Sequence, residues 1–532
     1  MTRTQELYQK LWDSADILRS KMDANEYKSY LLGLIFYKFL SDNMVLKAAD
    51  LIGQETEDIE EAQMIFEAYM EEGTLEDREE LLDELKYEYS FNLKADLTFG
   101  ALIKEIKNKS FQLEDLQQGF RDLEQSDPAY ENLFEDIDLY SKKLGQTPQK
   151  QNETISKIML TLAPLNFAKT KGDVLGDAYE YLIGQFASES GKKAGEFYTP
   201  QSVSHLMTRI AIDGKENKKG LSAYDPTMGS GSLLLNAKKY SHETKTINYF
   251  GQELNTSTFN LARMNMILHR VPIENQHLRN GDTLDADWPV DEPTNFDMVL
   301  MNPPYSAKWS AHKGFLDDQR FAPYGVLAPK SSADLAFLLH GFYHLKNDGV
   351  MAIVLPHGPL FRGGAEGKIR QKLLENGNID TIIGLPANIF FNTSIPTIIM
   401  VLKKNKEDRS VLFIDGSNDF EKVKTQNILR DNHIEKILET YRKRETIEKY
   451  SYLADFNEIE ENEFNLNIPR YVDTFEEEEE IPLAEVSKSL RATKADLKAA
   501  EDELKILLKD LVGTSISAQE DLDSFLQGLL GE

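Results

Sequence analysis

The sequence predicts an α/β fold: a Rossmann-like, mainly parallel sheet with helices on both faces, plus an N-terminal all-helical domain and a C-terminal coiled-coil helix. Three observations carry this prediction. Short apolar runs alternate with amphipathic stretches between about residues 155 and 404, a glycine-rich turn joins one run to the next stretch, and leucines recur every seventh residue near the end.

Residues 1–150 are predicted to form the helical domain. Apolar residues recur at helical spacing from Leu31 to Leu40, and the acidic stretch 55–88 carries interspersed apolar residues at a similar spacing. The polar segment 146–152 then predicts a boundary, so that the sheet domain occupies residues 151–405.

Apolar runs in the second domain predict its strands, and helical stretches such as 232–240, 256–269 and 333–345 lie between most of them. Strands that alternate with helices favour a parallel sheet, in which ligands bind at the carboxyl ends of the strands. The predicted strands are 221–224, 247–250, 298–301, 350–355, 381–385 and 397–402, with 410–414 as one more.

The end of the chain is predicted to be an extension, 406–480, followed by a partner-binding helix, 481–532. A five-glutamate run at 476–480 suggests a solvated hinge between them. A coiled coil accounts for the seven-residue period better than a helix docked on its own domain, because the period holds without drift. The repeated residues are Leu483, Leu490, Leu497, Leu504 and Leu511, with Val486, Thr493, Ala500 and Leu507 as companions.

The amino-acid composition excludes several classes of function. The chain has 532 residues, 41% of them hydrophobic and 28% charged, which indicates a folded protein of more than one domain. It has no cysteine, which excludes disulfides, thiolate nucleophiles and cysteine metal sites. No secretory signal is visible and the longest apolar stretch, 30–40, is too short to span a bilayer, so a cytoplasmic protein without membrane contact is expected.

The formal net charge of -29 bears on nucleic-acid binding. DNA affinity depends on cations that neutralise phosphates, so this chain alone should bind DNA poorly. Either a more basic partner supplies much of the DNA affinity, or the acidity only keeps the protein soluble.

The turn Asp225-Pro226-Thr227-Met228-Gly229-Ser230-Gly231-Ser232 is a candidate cofactor site. Its glycines allow a ligand to approach the backbone closely. Leu234 stands where the third glycine of a phosphate-binding fingerprint would be, so a neutral or cationic nucleoside suits the turn better, with Asp225 near an ammonium group.

Acidic residues follow the next two predicted strand units. Glu253 occupies the position that usually accepts hydrogen bonds from ribose hydroxyls, and Asp282 is placed to accept one from an adenine amino group. A helix N-cap is the alternative for a single acidic residue at a strand end. Three such residues in register make the cofactor interpretation the better one.

Asn302-Pro303-Pro304-Tyr305, directly after an apolar strand, is the candidate reacting centre. The Asn302 side-chain oxygen and the Pro303 carbonyl can accept both N–H bonds of an aromatic amine and so keep its nitrogen nucleophilic. The prolines stiffen the turn, and Tyr305 can stack on the base. The rate of an in-line methyl transfer then comes mainly from positioning, with no metal required.

These motifs resemble the modification (methyltransferase) subunit of type I restriction-modification systems, which has a class I methyltransferase sheet. Gly195-Glu196-Phe197-Tyr198-Thr199-Pro200-Gln201 resembles the family's methionine-binding motif, and 175–181 matches upstream. The resemblance implies adenine-N6 methylation of DNA, with the target adenine flipped out of the duplex. It implies S-adenosylmethionine contacts at 196–201, 230–232 and Glu253, catalysis at 302–305, and stacking on the flipped base by Phe390 or Phe391.

The resemblance also implies partners. No segment after residue 405 resembles a domain that reads base edges, so a separate specificity subunit would recognise the DNA target. Its long helices could pair with the leucine repeat, and two copies of this chain would bind one specificity subunit on double-stranded DNA. A restriction subunit would supply ATP hydrolysis and cleavage in the full complex.

Other site types have less support. Residues 362–369 resemble a P-loop but start with arginine and lack a hydroxyl residue after the lysine. His340 and His344 have zinc-like spacing without the adjacent glutamate, which favours a packed helix. Methyltransferases acting on protein glutamine or ribosomal guanine, and a non-catalytic assembly subunit, are the alternative functions.

Overall fold

The computed structural model describes residues 3–166, 174–189, 198–290, 295–390, 393–423, 426–473 and 483–530. The chain divides into two compact units, residues 1–473 and 474–532. The first unit contains a helical region and a sheet region, and the second is helical.

The helical region forms around one long apolar helix, which begins at a capping box of Asp23 and Glu26. Leu31, Ile35 and Phe36 of this helix are fully buried against the surrounding helices. The helices are α1 (Arg3–Ser14), α2 (Asp16–Arg19), α3 (Ala24–Leu51), α4 (Ile59–Glu72), α5 (Leu75–Tyr89), α6 (Phe99–Asn108), α7 (Leu113–Glu124), α8 (Pro148–Leu162) and α9 (Val174–Glu189).

In the described residues, the sheet region contributes nine α-helices and strands up to and including its fifth strand. The glycine-rich turn lies between its first strand and the following helix, as the sequence predicts. These elements are α10 (Gln201–Ile212), β1 (Ser222–Asp225), α11 (Ser232–Tyr240), β2 (Asn248–Glu253), α12 (Thr256–Leu268), β3 (Gln276–Asn280), β4 (Phe296–Met301), α13 (Asp334–Tyr343) and β5 (Leu345–Pro356).

The remaining elements of the first unit extend the sheet and cover it. They are α14 (Gly358–Phe361), α15 (Gly364–Glu375), β6 (Ile379–Gly384), β7 (Thr397–Lys403), β8 (Val411–Asp415), β9 (Glu421–Val423), β10 (Gln426–Ile428), α16 (Asp431–Lys443), β11 (Ser451–Ala454) and α17 (Phe456–Glu461).

Nine strands form the central sheet in the order β11-β8-β6-β7-β5-β4-β1-β2-β3. β3, β2, β1, β4 and β5 are mutually parallel, whereas β7 is antiparallel to both neighbours and β11 is antiparallel to β8. Apolar clusters cover both faces, one beneath α10, α11 and α16 and the other beneath α13 and α15. The predicted α/β fold with helices on both faces is therefore confirmed.

The sheet region and the helical region share one core. Tyr179, Leu182 and Phe186 of α9 pack into the same buried cluster as Leu261 and Met264 of α12. Polar contacts at the same helix add to this packing, because the Arg263 guanidinium donates to the carbonyl oxygens of Glu131 (2.7 Å) and Ala129 (2.8 Å). The N-terminal helices are thus fixed directly against the helix that follows β2.

The second unit contains α18 (Leu483–Lys509) and α19 (Ile516–Leu530). The helix predicted over 481–532 is divided, within residues 483–530, into these two helices, and the repeated Leu511 lies after α18 ends. The repeated leucines within α18 are exposed: 54% of Leu490, 59% of Leu497 and 47% of Leu504. None of the helices in the described ranges combines the length and apolar character needed to cross a membrane.

Candidate active site

A cavity of about 660 Å³ opens at the carboxyl ends of β1, β2 and β4. Its floor comes from the sheet region, and α3 and α9 of the helical region supply a wall. The predicted site residues on its surface are Tyr198, Gly229, Ser230, Glu253, Asp282, Asn302 and Pro304. Residues of the helical region on its surface are Lys28, Leu32, Ile183, Phe186 and Ala187.

The glycine turn bends because two of its residues adopt left-handed backbone angles, Gly229 (φ 55°) and Gly231 (φ 77°). Gly231 also packs closely, since a Cβ there would lie 3.3 Å from the Met266 Cε atom. Gly229 and Ser230 face the cavity, whereas Gly231 and Ser232 lie behind that surface at the start of α11. The turn therefore presents backbone rather than bulky side chains to a ligand.

Asp225 lies beneath the turn and does not line the cavity. Its carboxylate accepts hydrogen bonds from the Thr227 backbone N–H (2.9 Å) and hydroxyl (3.1 Å). Burial raises the pKa of Asp225 from its ordinary 3.8 to about 7. This carboxyl group therefore stabilises the turn, and burial disfavours its ionised form.

Asp225→Asn is expected to alter the pH dependence of stability. Because the pKa of Asp225 is raised to about 7, the folded state binds the proton of this acid more tightly than the unfolded state does. The contribution of Asp225 to the stability of the fold is therefore complete below about pH 4 and is lost as the pH rises through 7. Asparagine keeps an acceptor for Thr227 without this loss. The free energy of unfolding of the variant, relative to wild type, should rise by on the order of 4 kcal/mol between pH 4 and pH 8.

Denaturant unfolding at both pH values measures this effect, and Asp297→Asn is the matched control. Lys218 and Lys346 help to hold the pKa of Asp297 at about 2 against the effect of burial. The stabilisation by this carboxylate is lost only below about pH 4, so the control should be destabilised by nearly the same amount at pH 4 and at pH 8. Equal pH slopes for wild type and Asp225→Asn would contradict the assignment.

Glu253 and Asp282 both reach the cavity, and both also organise the backbone. Glu253 accepts from the backbone N–H groups of Gly229 (3.1 Å) and Asn255 (2.8 Å). Asp282 Oδ1 accepts from the Leu284 N–H (2.9 Å) within a turn, and no helix begins at this residue in the described chain, so it is not a helix N-cap. These backbone contacts and ligand binding are compatible, because each carboxylate has several acceptor positions.

The methionine-motif segment runs beside α9. Glu196 and Phe197 lie outside the described residues. The Gln201 amide donates to the Tyr198 hydroxyl (2.6 Å) and to the Glu180 carboxylate (2.5 Å). Burial raises the pKa of Glu180 and that of the Tyr198 hydroxyl. Pro200 is the N-cap residue of α10, so the segment ends at a fixed helix start.

The candidate reacting centre is organised by side-chain hydrogen bonds. Asn302 Nδ2 donates to Thr199 Oγ1 (3.1 Å), and the Tyr305 hydroxyl donates to Asn302 Oδ1 (2.9 Å). Thr199 therefore joins the methionine-motif segment to the Asn302 amide and fixes its orientation. Pro303 is buried and Pro304 faces the cavity.

Two of the predicted stacking residues, Tyr305 and Phe390, contact each other away from the cavity surface. The Tyr305 ring lies edge-on to Phe390, with centroids 6.2 Å apart and planes at 86°, and neither ring is on the cavity surface. Phe390 is buried in the core beneath the sheet, and Phe391 lies outside the described residues. Stacking on a base by Tyr305, Phe390 or Phe391 stays a prediction.

The His340–His344 pair lies with Asp287 away from this cavity. His340 Nε2 is 2.8 Å from the Tyr224 hydroxyl and Nδ1 is 3.0 Å from an Arg320 nitrogen. His344 Nε2 is 2.8 Å from Asp287. Burial lowers the pKa of His340 well below its ordinary value. These partners, one of them a guanidinium, suit a packed polar core better than a metal site.

Several cavity residues have no signal in the sequence. Lys28 and Leu32 belong to an apolar helix about 200 residues from the glycine turn, and only tertiary packing brings them to the cavity. Gln252 and Phe337 also face the cavity. In the sequence, Gln252 resembles any other strand residue and Phe337 any other helix residue.

Protein-family models match both regions of the first unit. A family model described as N-6 DNA Methylase matches residues 170–480, which include the sheet, the glycine turn and Asn302. A second, described as HsdM N-terminal domain, matches residues 7–162. The fold and the first match define the class: an enzyme that methylates DNA at an adenine amino group.

Relatives narrow this class. The Type I restriction enzyme MpnII methylase subunit of Mycoplasma pneumoniae is 35% identical, over 94% of this chain and 95% of its own length. The MjaIX methylase subunit of Methanocaldococcus jannaschii is 28% identical over 96% and 91%. A crystal structure of the type I restriction-modification methyltransferase subunit from Streptococcus thermophilus is 66% identical and covers 88% of this chain and all of its own, with a TM-score of 0.86. The chain belongs to the family of type I restriction enzyme methylase subunits.

Proposed function

We propose that this chain transfers a methyl group from S-adenosylmethionine to N6 of an adenine flipped out of duplex DNA, at sites chosen by a separate specificity subunit. The observation that carries the proposal is the shared cavity: the glycine turn, Glu253 and Asp282 line it together with Asn302 and Pro304. A nucleoside cofactor and a target base therefore have adjoining places in one space of about 660 Å³.

The cavity residues fit the proposed cofactor. Gly229 leaves open space where a side chain would stand, and the acidic groups of Glu253 and Asp282 suit ribose hydroxyls and an adenine amino group. S-adenosylmethionine, when bound, supplies an electrophilic methyl group on a positively charged sulfur. Of the predicted contacts at 196–201, Tyr198 lines the same cavity, shortly before α10 begins at Gln201.

The Asn302 amide would act on the target nitrogen. Its oxygen has two lone pairs, of which the Tyr305 hydroxyl takes one at 2.9 Å, so the other is available to an adenine N–H. The Pro303 carbonyl would accept the second N–H. Methyl transfer would form the N6–methyl bond as the methyl–sulfur bond breaks and its electron pair stays on sulfur. The N6 proton that is hydrogen-bonded to Asn302 Oδ1 would then leave to water.

The proposed function also requires partner subunits. The acidic chain, with a net charge of -29, gains DNA affinity from a specificity subunit, and α18 is the surface proposed to bind it. Two copies of the chain on one specificity subunit form the methylating complex, to which a restriction subunit adds cleavage. The names of the relatives as subunits of restriction enzymes support this arrangement.

The deciding experiment incubates the purified full chain with isotope-labelled S-adenosylmethionine and genomic DNA, with and without its candidate specificity subunit. Mass spectrometry of the digested nucleosides should find labelled N6-methyladenine only when the partner is present. Label in protein or RNA, with unlabelled DNA in both samples, would overturn the proposal.

A further inference from the structure

Gln252 is a buried amide at the cavity surface. It precedes Glu253 at the end of β2, is fully buried and lines the cavity. Within the described part of the chain, neither its Oε1 nor its Nε2 has a hydrogen-bond partner. Its backbone is firmly held, since its carbonyl oxygen accepts from the Met228 N–H of the glycine turn (3.0 Å).

The neighbouring strand end leaves room for this amide. A Cβ at Gly281 would lie 3.2 Å from Gln252 Nε2. Gly281 has no positive φ angle, so space near the amide rather than backbone conformation explains a glycine there. The next residue, Asp282, faces the cavity. The Gln252 amide therefore lies beside the turn proposed to bind the cofactor's adenine.

An unpaired buried amide is costly, and most native polar groups avoid it. A ligand in the cavity can therefore satisfy an amide that is left unpaired at the cavity surface. A primary amide offers one acceptor and one donor side by side, and the N6–H and N7 of adenine present the complementary pair. Asp282 would accept the other N6–H, on the far side of the amino group.

We propose that Gln252 binds the adenine of the cofactor, with Oε1 accepting from N6–H and Nε2 donating to N7, and so selects an adenine nucleoside. This inference rests on the proposed use of S-adenosylmethionine and adds a residue that reads its base. It distinguishes Gln252 from Glu253, which would contact the ribose.

Calorimetry with S-adenosylhomocysteine and its 7-deaza analogue tests the inference on the full chain and on its complex with the specificity subunit. The analogue keeps the amino group and lacks the N7 acceptor. Wild type should bind the parent compound roughly tenfold or more tightly than the analogue. Gln252→Leu should bind both equally, with an affinity for the parent roughly tenfold to a hundredfold below wild type.

A structural role predicts a different result. Leucine removes an unpaired polar group from a buried place, so Gln252→Leu should unfold no more readily than wild type while its affinity falls. Gln276→Leu is the matched control: Gln276 lies on β3, donates to the Val271 carbonyl oxygen (2.8 Å) and is outside the cavity. It should lose stability and keep wild-type affinity.

If the leucine variant does not fold, Gln252→Glu provides a second test of the inference. It keeps an acceptor for N6–H and loses the donor for N7, so it should bind the parent compound more weakly and no longer distinguish the two. Discrimination that persists in either variant would overturn the inference alone. Wild type that binds neither compound, with or without the partner, would instead overturn the proposed cofactor, and the inference with it.

Discussion

Asn302→Ala is expected to lower kcat for N6-methyladenine formation by roughly 100-fold to 1000-fold, with little change in cofactor affinity. The Asn302 oxygen would act on the target nitrogen as positive charge develops there, so its loss affects the transition state more than cofactor binding. Single-turnover methylation of duplex DNA by the full complex measures the rate, and calorimetry with S-adenosylhomocysteine measures the affinity.

Tyr305→Phe is the matched control for this loss. It removes the hydroxyl that donates to Asn302 Oδ1 and keeps the ring against Phe390, so the amide remains in place through Thr199. One neutral hydrogen bond contributes about 1 kcal/mol, and the expected fall in kcat is therefore only about fivefold. Unchanged activity in Asn302→Ala would instead favour the non-catalytic assembly subunit.

Replacing Leu490, Leu497 and Leu504 together by glutamate is expected to abolish co-purification with the specificity subunit. About half of each leucine is exposed on one stripe of α18, and a repeated apolar stripe of this kind is typical of an unpartnered coiled-coil face. Charges on that stripe would have to be buried without partners in the complex, at a cost of several kcal/mol. Pull-down and mass photometry of the mixed subunits measure the effect.

The control adds the same charge elsewhere on α18, by Ala484→Glu, Ala492→Glu and Ala495→Glu. These alanines are exposed and lie off the leucine stripe, so the complex should survive. Both triple variants should keep wild-type cofactor affinity, because the cavity is formed entirely by the other unit. A complex that forms normally with the leucine variant would contradict α18 as the docking surface.

Local patterns account for the parts of this molecule that could be predicted. The glycine turn, Asn302 and the exposed leucines depend on residues close in sequence, and the predicted fold is confirmed. β3 was missed because its sequence, from Gln276 to Asn280, is polar and lies at the sheet edge, where one-sided burial leaves no apolar run.

Local hydrogen bonds explain one remaining difference, and long-range packing explains another. Asp225 was placed near a ligand, yet its carboxylate bonds to Thr227 beneath the turn, because burial and local hydrogen bonds decide its direction. Lys28 and Leu32 reach the cavity only because α3 docks near α9 and α12. No periodicity or motif within α3 marks that contact.

That wall supplied by α3 and α9 makes any occupant of the cavity a bridge between the N-terminal helices and the sheet. A ligand at one hundred times its dissociation constant adds about 2.7 kcal/mol to the stability of the state that binds it. Amide hydrogen exchange in α3, and not only in the glycine turn, should therefore slow when S-adenosylhomocysteine is added. Proteolysis within the N-terminal helices should likewise be slower with this ligand bound than without it, although these helices lie far in sequence from the glycine turn.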